Sequence, residues 1–371
     1  MRSEGLTVAV TGAGGFLGRN LVVRLREAGI ETWAISRQTA SEEAQTRLAK
    51  ADAVVHLAGA VRPKDPIEFA RSDAYSAWVA EVIEQGGRRP LVICASSVRA
   101  DDDTPYGASK RVTEEVLLRL AERNLATTTI YRLPNIFGKW ARPNYNSCVA
   151  TFCHNLARDL PIRIDDPQAP LALLYVDDLI DQWLALIAAR PATSGFVEAD
   201  QIHHTTVGDV ATMLSDFAAG RGVGQVQSVG VGLVRALYAT FVSALPVEAF
   251  SYPLVAHTDP RGSFTEILKT PASGQVSYFT AHPGVTRGGH YHHSKVEKFL
   301  IVHGQALFRF RHILTGDLHE VRTAGDEPVV VETIPGWAHD VTNVGGDMMV
   351  SLIWANEVFD RERPDTVPAA V

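Results

Sequence analysis

Tyr106 and Lys110 stand four residues apart in YGASK, and on a helix that spacing puts a phenol and an ammonium on one face. A fixed cation beside a phenol eases loss of its proton. The pair therefore suits a general acid that protonates a ketone oxygen as a hydride arrives. Ser96 and Ser97 close the run LVICASS and offer a hydroxyl to hold that ketone; we assign Ser97 the catalytic role and Ser96 a substrate contact. A second set lies far down the chain. His290-Tyr-His292-His293-Ser-Lys-Val-Glu297, followed by Gly304, has the form HxHx4Ex6G, and Pro335–His339 (PGWAH) adds another imidazole. In a small β-barrel alternate residues face the lumen, so His290 and His292 point together, while Glu297 and His339 arrive from neighbouring strands. These four donors suit a divalent metal, zinc first, with iron, manganese and nickel as alternatives. His293 is expected on the solvent side.

The first set needs a scaffold of alternating strands and helices. Short β-rich runs at Leu6–Val10, Thr32–Ile35, Ala53–Leu57 and Leu91–Ala95 alternate with helical patterns at Phe16–Ala28 and Lys110–Arg123, which predicts a parallel sheet covered on both faces. Between the first strand and first helix lies TGAGGFLG, whose Gly12, Gly15 and Gly18 form GxxGxxG. Gly12 permits a tight turn, Gly15 lets backbone approach a pyrophosphate, and Gly18 lets the helix pack closely, with free N–H groups aimed at the phosphates. The second strand ends in Ile35-Ser36-Arg37, with no acid to grip ribose hydroxyls and a guanidinium able to pair with a 2′-phosphate. That favours NADPH over NADH. The dinucleotide contacts expected are Gly12, Gly15, Phe16, Leu17, Gly18, Ser36, Arg37, Leu57, Ala58, Gly59, Tyr106 and Lys110. A later helix over Val176–Ala189 follows YVDDL, where Asp177 or Asp178 is expected to cap it.

The second set needs a barrel. From Tyr252 onward the pattern changes to spaced β-rich runs without a long helix, and nine of the thirteen histidines fall in this last stretch. We place domains at 1–247 and 253–371, the first an α/β Rossmann-like doubly wound sheet, the second an all-β barrel. The tail after Arg363 is expected to fray. Net charge is −7, from 35 basic and 42 acidic residues without long runs of either sign, which excludes a nucleic-acid surface. Three cysteines are too few for a disulfide framework, and no apolar leader opens the chain, so a cytoplasmic setting is expected. Val229–Leu245 is apolar but carries Arg235 at its middle and falls short of the ~20 residues a membrane span needs. We expect a buried helix and no membrane insertion.

With GxxGxxG, DAVVHLAG, ICASS, YxxxK, RLPNIFG and YVDDL in this order, residues 6–245 resemble the extended short-chain dehydrogenase/reductase family, whose members typically act on nucleotide sugars. Only eight residues separate Ser97 from Tyr106, fewer than in many relatives. The two histidine segments resemble the cupin motifs. TDPRGSFTEI and GVTRGGHYH also resemble the cupin-type epimerases of deoxy-keto-sugar nucleotides, in which the histidine of RGxHY is a base. That resemblance implies His290 as base, with Arg261 and Arg287 near substrate phosphates, whereas the metal reading makes His290 a ligand. Over nearly its full length the chain resembles the bifunctional UDP-sugar enzymes of capsule and O-antigen synthesis (CapF/WbjC type). The resemblance implies C-3 epimerisation of a keto-sugar in the cupin and NADPH reduction at C-4 in the first domain, on the way to UDP-N-acetyl-L-fucosamine. It also implies a UDP-sugar substrate held by Ser96, Asn135, Arg261 and Arg287, and a homodimer. Two rival readings are a sensor that binds NADPH and sugar without turnover, and a dehydratase or C-4 epimerase carrying a structural cupin.

Overall fold

A computed structural model describes residues 5–63, 65–254, 256–259, 262–265, 268, 270, 274–357, 360 and 362–371. They pack as two compact units, 1–137 with 171–204, and 138–170 with 205–371.

In the first unit β1 (Thr7–Thr11), α1 (Phe16–Glu27), β2 (Glu31–Ile35), α2 (Ser41–Lys50), β3 (Ala53–His56), α3 (Ile67–Gly86), β4 (Leu91–Ser97), α4 (Pro105–Glu122) and β5 (Thr127–Leu133) alternate as the pattern predicts. Five of these strands and Gly195–Val197 form a parallel sheet in the order β2-β1-β3-β4-β5-(195–197). β1, β3 and β4 are buried along their whole length, as unbroken apolar runs demand when helices cover both faces. α4 begins five residues before Lys110. Thr104 caps it by accepting from the Gly107 N–H at 3.1 Å, and Pro105 stands at N1, where its missing N–H costs nothing. Tyr106 therefore sits in the first turn of the same helix as Lys110. The expected aspartate cap of the later helix does not form. Tyr175 stands at the N-cap of Val176–Ala189 and its side chain makes no capping bond, and Asp177 and Asp178 lie inside the first turn, where their charge meets the positive helix end.

In the second unit, two antiparallel five-stranded sheets make the barrel. One runs 251–253, 329–332, 297–303, 349–355, 275–281, and the other 318–324, 305–312, 337–343, 286–291, 367–368. Helices Cys148–Leu156, Val207–Arg221 and Gly232–Ser243 belong to this unit. Gly232–Ser243 is the buried helix expected from the apolar run, and the charge at its middle is explained by an ion pair from Arg235 Nε to Glu357 at 3.1 Å. Among the described residues no helix is long and apolar enough to cross a membrane. The tail does not fray. Val367 and Pro368 pair with Tyr291 and His290, and the Ala369 N–H donates to Gly289 O at 2.9 Å.

Candidate functional site

In the first unit, parallel strands stop together and hand their next residues to one edge. Thr11 pairs with His56, and His56 with Cys94, so Gly12, Leu57 and Ala95 follow side by side. Gly12 takes φ +68°, and a Cβ there would lie 2.8 Å from both Leu57 C and Ala58 N, so this turn accepts only glycine. A Cβ on Gly18 would come within 2.6 Å of Ala13 Cα, which lets α1 lie tight against the loop that precedes it. Gly15 is the N-cap of α1 and has no side chain to occupy the N–H groups of the first turn, to which Phe16, Leu17 and Gly18 belong. The Gly15 N–H itself donates to Gly12 O at 2.9 Å. These features fit a dinucleotide pyrophosphate: a bare helix end and a glycine loop too tight for side chains. Ser36 and Arg37 follow β2; Arg37 is exposed and has no carboxylate partner among the described residues.

Lys110 Nζ donates to Ala95 O at 3.0 Å, lies 5.8 Å from the centre of the Tyr106 ring, and would stand 3.7 Å from a Cβ at Gly59. The ammonium is thus pinned between the ends of β3 and β4 beside the half-buried phenol. The two serines differ. Ser96 donates to the buried carboxylate of Glu114, which also holds Arg132 through bonds of 3.0 and 2.7 Å. Ser97 Oγ accepts from the Arg99 N–H at 3.2 Å, and its proton has no acceptor among the described residues. Asn135 is exposed on the short strand Asn135–Phe137.

Sequence reading missed the floor of this edge. Thr11 Oγ1 accepts from the Leu57 and Ala58 N–H groups at 3.2 and 3.3 Å and bonds His56 Nδ1 at 2.9 Å; His56 Nε2 bonds Ser76 Oγ at 3.0 Å, and Ser76 lies 3.2 Å from Thr113 Oγ1. Burial, aided by the Lys110 charge, lowers the His56 pKa to about 4, so the relay is neutral. A histidine inside DAVVHLAG was the only hint, and nothing local names its partners.

In the barrel, His290, His292, Glu297 and His339 bring one donor atom each within 4.8 Å of one another. His290 and His339 are cross-strand partners, with ring centres 4.8 Å apart. His292 Nε2 stands 3.2 Å and His339 Nε2 3.7 Å from Glu297 Oε2. Burial and the neighbouring imidazoles lower His290 to about 4, and burial lowers His339 as well. For Glu297 burial acts to raise the pKa, but the adjacent His292 and His339 rings and the Lys295 ammonium outweigh it and hold the carboxyl well below its ordinary value. Neutral imidazoles and an ionised carboxylate are the states a metal requires. Among the described residues the buried Nε2 of His339 has no hydrogen-bond partner, which suits a nitrogen that could ligate a metal. The donor set fits a divalent metal.

His293 is not on the solvent side: it is buried, 3% exposed, and its ring packs edge-on against Tyr291. The strand ends at Tyr291, so alternation does not extend to His293, whose N–H is held by Asp365 Oδ1 at 2.8 Å. Arg287 is exposed, donating to Thr280 O at 3.3 Å and lying 5.1 Å from the Phe279 ring. Arg261 lies outside the described residues.

Residues 8–195 match the NAD dependent epimerase/dehydratase family, and residues 257–367 match the polysaccharide biosynthesis C-terminal domain. The chain is 47% identical, over 99% of both chains, to a UDP-2-acetamido-2,6-beta-L-arabino-hexul-4-ose reductase of Pseudomonas aeruginosa. Among solved structures, the capsular polysaccharide assembling protein CapF of Staphylococcus aureus superposes with a TM-score of 0.66 at 37% identity, covering 99% of this chain and 100% of that one. A UDP-N-acetylglucosamine 4-epimerase of Bacillus cereus shares the fold of the first part only, with a TM-score of 0.52 at 20% identity over 58% of this chain and 82% of its own.

Proposed function

The chain belongs to the NAD dependent epimerase/dehydratase family, as a two-domain member of the CapF type, and on that premise we propose that it is a bifunctional nucleotide-sugar enzyme. The barrel, the cupin of our sequence reading, epimerises a UDP-2-acetamido-2,6-dideoxy-4-keto-hexose at C-3. The Rossmann-like sheet then reduces C-4 with NADPH, giving UDP-2-acetamido-2,6-dideoxy-L-talose for UDP-N-acetyl-L-fucosamine synthesis. The observation that carries this reading is the placement of Lys110, fixed to Ala95 O between two strand ends and beside Tyr106. A pure sensor has no use for that pair.

When bound, the dinucleotide supplies a hydride and the metal supplies Lewis acidity at the ketone oxygen. Tyr106 Oη gives its proton to the C-4 oxygen, and Lys110, held rigidly, keeps positive charge beside the phenol as that proton leaves. Ser97 Oγ–H orients the same oxygen, since Ser96 is engaged by Glu114. In the barrel we read His290 as a ligand rather than the base, because one side chain cannot serve as both. A ketone acidifies its neighbouring C–H, so epimerisation precedes reduction; once C-4 is an alcohol the C-3 proton is inert. Exposed Val276 and Tyr278 on the edge strand Gln275–Ala281 support a homodimer. We read its setting as cytoplasmic.

NMR in deuterated water with the keto-sugar tests both halves. Deuterium should enter C-3 without reductant, and the ketone should disappear when NADPH is added, one NADPH per sugar. Turnover without net NADPH oxidation would mean a first unit that recycles its nucleotide, and an unlabelled C-3 would leave the barrel a structural role.

A further inference from the structure

We propose that the C-terminal segment Asp365–Pro368 is a clasp that positions the metal ligands of the barrel, with Asp365 as its positioning residue. The inference rests on reading His290, His292, Glu297 and His339 as a metal site, and it goes beyond that reading by giving the site its outer support.

The segment makes a dense set of contacts with the stretch 290–297. One carboxylate oxygen of Asp365 accepts from the His293 N–H at 2.8 Å, and the other accepts from the N–H groups of Ser294 at 2.6 Å and Lys295 at 2.7 Å and from Ser294 Oγ at 2.9 Å. Three successive N–H groups pointing one way form a concave anion site, and here the chain fills it with its own carboxylate. The Asp365 carbonyl meets His292 Nδ1. A carbonyl only accepts, so Nδ1 carries a ring proton, which leaves Nε2, 3.2 Å from Glu297 Oε2, as the nitrogen that would hold the metal. One residue on, Thr366 Oγ1 accepts from Lys295 Nζ at 3.1 Å, and that ammonium lies 3.4 Å from Glu297 Oε1. Oε1 is thereby occupied, which leaves Oε2 to face His292 and His339. Val367 and Pro368 then pair with Tyr291 and His290.

The tail therefore sets the tautomer of one ligand, the free oxygen of a second and the strand carrying a third. On the opposite side the turn is tied by the Gly336 N–H, which donates to His292 O at 2.9 Å, three residues before His339. Such outer partners typically govern metal affinity by about 10–100-fold.

The test uses the full-length protein and zinc alone. Asp365→Asn keeps the side-chain shape but replaces the oxygen that serves Ser294 and Lys295 with a donor. Competition against a chromophoric chelator should show a zinc dissociation constant raised about tenfold or more. The cobalt-loaded variant should show a changed visible spectrum, while NADPH binding in the first unit stays as in the parent. Equal zinc affinity in parent and variant would overturn the clasp and leave the metal site standing. A parent protein that takes up no zinc would remove the metal site and the clasp with it. Should the variant fail to fold, hydrogen exchange on the unaltered protein decides. If clasp and metal reinforce one another, zinc must slow exchange of the amides of residues 293–295; identical exchange with and without zinc overturns the proposal.

Discussion

The two units present chemistry in opposite ways. The first gathers its groups at one edge of a parallel sheet, because β1, β3 and β4 stop in register and each passes its next residue to the same side. Gly12, Leu57–Gly59 and the Ser97 turn meet there without any strand needing to know its neighbour's side chains. The second assembles its donors by antiparallel register: His290 opposite His339, Glu297 on the facing sheet, and Asp365 from a tail some seventy positions away. Two of their buried networks differ in charge as well. The first buries a neutral Thr11–His56–Ser76 relay, whereas the second buries Lys298, 4% exposed, against Glu332, 0% exposed, with Arg221 closing the cluster through a 2.6 Å bond. Parallel strand ends deliver a site as short motifs, while a barrel must recruit distant chain to hold its site in shape.

The severest way to break this comparison is Tyr106→Phe. It removes the proposed proton donor and nothing of the barrel, so NADPH consumption with the keto-sugar should fall by about 10²–10⁴-fold. Zinc content and deuterium entry at C-3 should remain those of the parent. Unchanged NADPH consumption would strip Tyr106 of its role.

That division also explains what could be read from the chain. GxxGxxG, YxxxK and the HxHx4E segment each place their residues within one element or one turn, where helix and strand periods alone decide which side chains coincide. Thr104-Pro105 even marks the true start of α4, though periodicity alone places it at Lys110. Residues whose partners are set by tertiary register stayed hidden. Glu114 as the partner of Ser96 and Arg132, His56 as the hub of a buried relay, and Asp365 as the support of His292 have no local signature. His293 departs from expectation for the same reason, since the strand ends at Tyr291 and the turn beyond it, held by Asp365, sets its place rather than alternation.

The charged interior of the second unit gives the next largest effect. Lys298→Met leaves the Glu332 carboxylate buried with Arg221 as its remaining cation, and the Tyr252 hydroxyl loses its 3.2 Å donor. Removing one partner of a buried pair costs about 3–5 kcal/mol, and Arg221 should keep the loss near the lower figure. Calorimetry should show a lowered unfolding temperature. A variant as stable as the parent would mean that the ion cluster only breaks even against apolar packing.

The neutral relay of the first unit responds to pH instead. His56 has a folded pKa of about 4 against an ordinary 6.5, so the unfolded chain binds its proton first as pH falls. The contribution is therefore complete above about pH 6.5 and disappears as pH drops through the interval to about 4, with a total of about 3 kcal/mol. Stability measured against His56→Gln across that range should diverge toward higher pH and then level off. A gap that stays constant from pH 4 to 7 would show that His56 is not held neutral by the fold.

The smallest effect sharpens the comparison at its most exposed point. Arg37 follows β2, reaches into solvent and has no carboxylate partner among the described residues, so its guanidinium can meet a 2′-phosphate without first breaking an ion pair. A hydrogen bond to a charged group contributes about 1.5–3 kcal/mol when desolvated, and exposure and salt reduce it here. Arg37→Ala should therefore weaken NADPH binding about tenfold, leave NADH binding within a factor of two or so, and lose most of that difference at high ionic strength. The sign matters more than the size: only NADPH carries the extra phosphate, so a residue that merely supported the β2 turn would weaken both nucleotides alike. Parallel losses would move the source of cofactor choice from Arg37 to the neighbouring backbone, where the Ser36 N–H is already engaged by Thr39 Oγ1 at 3.0 Å.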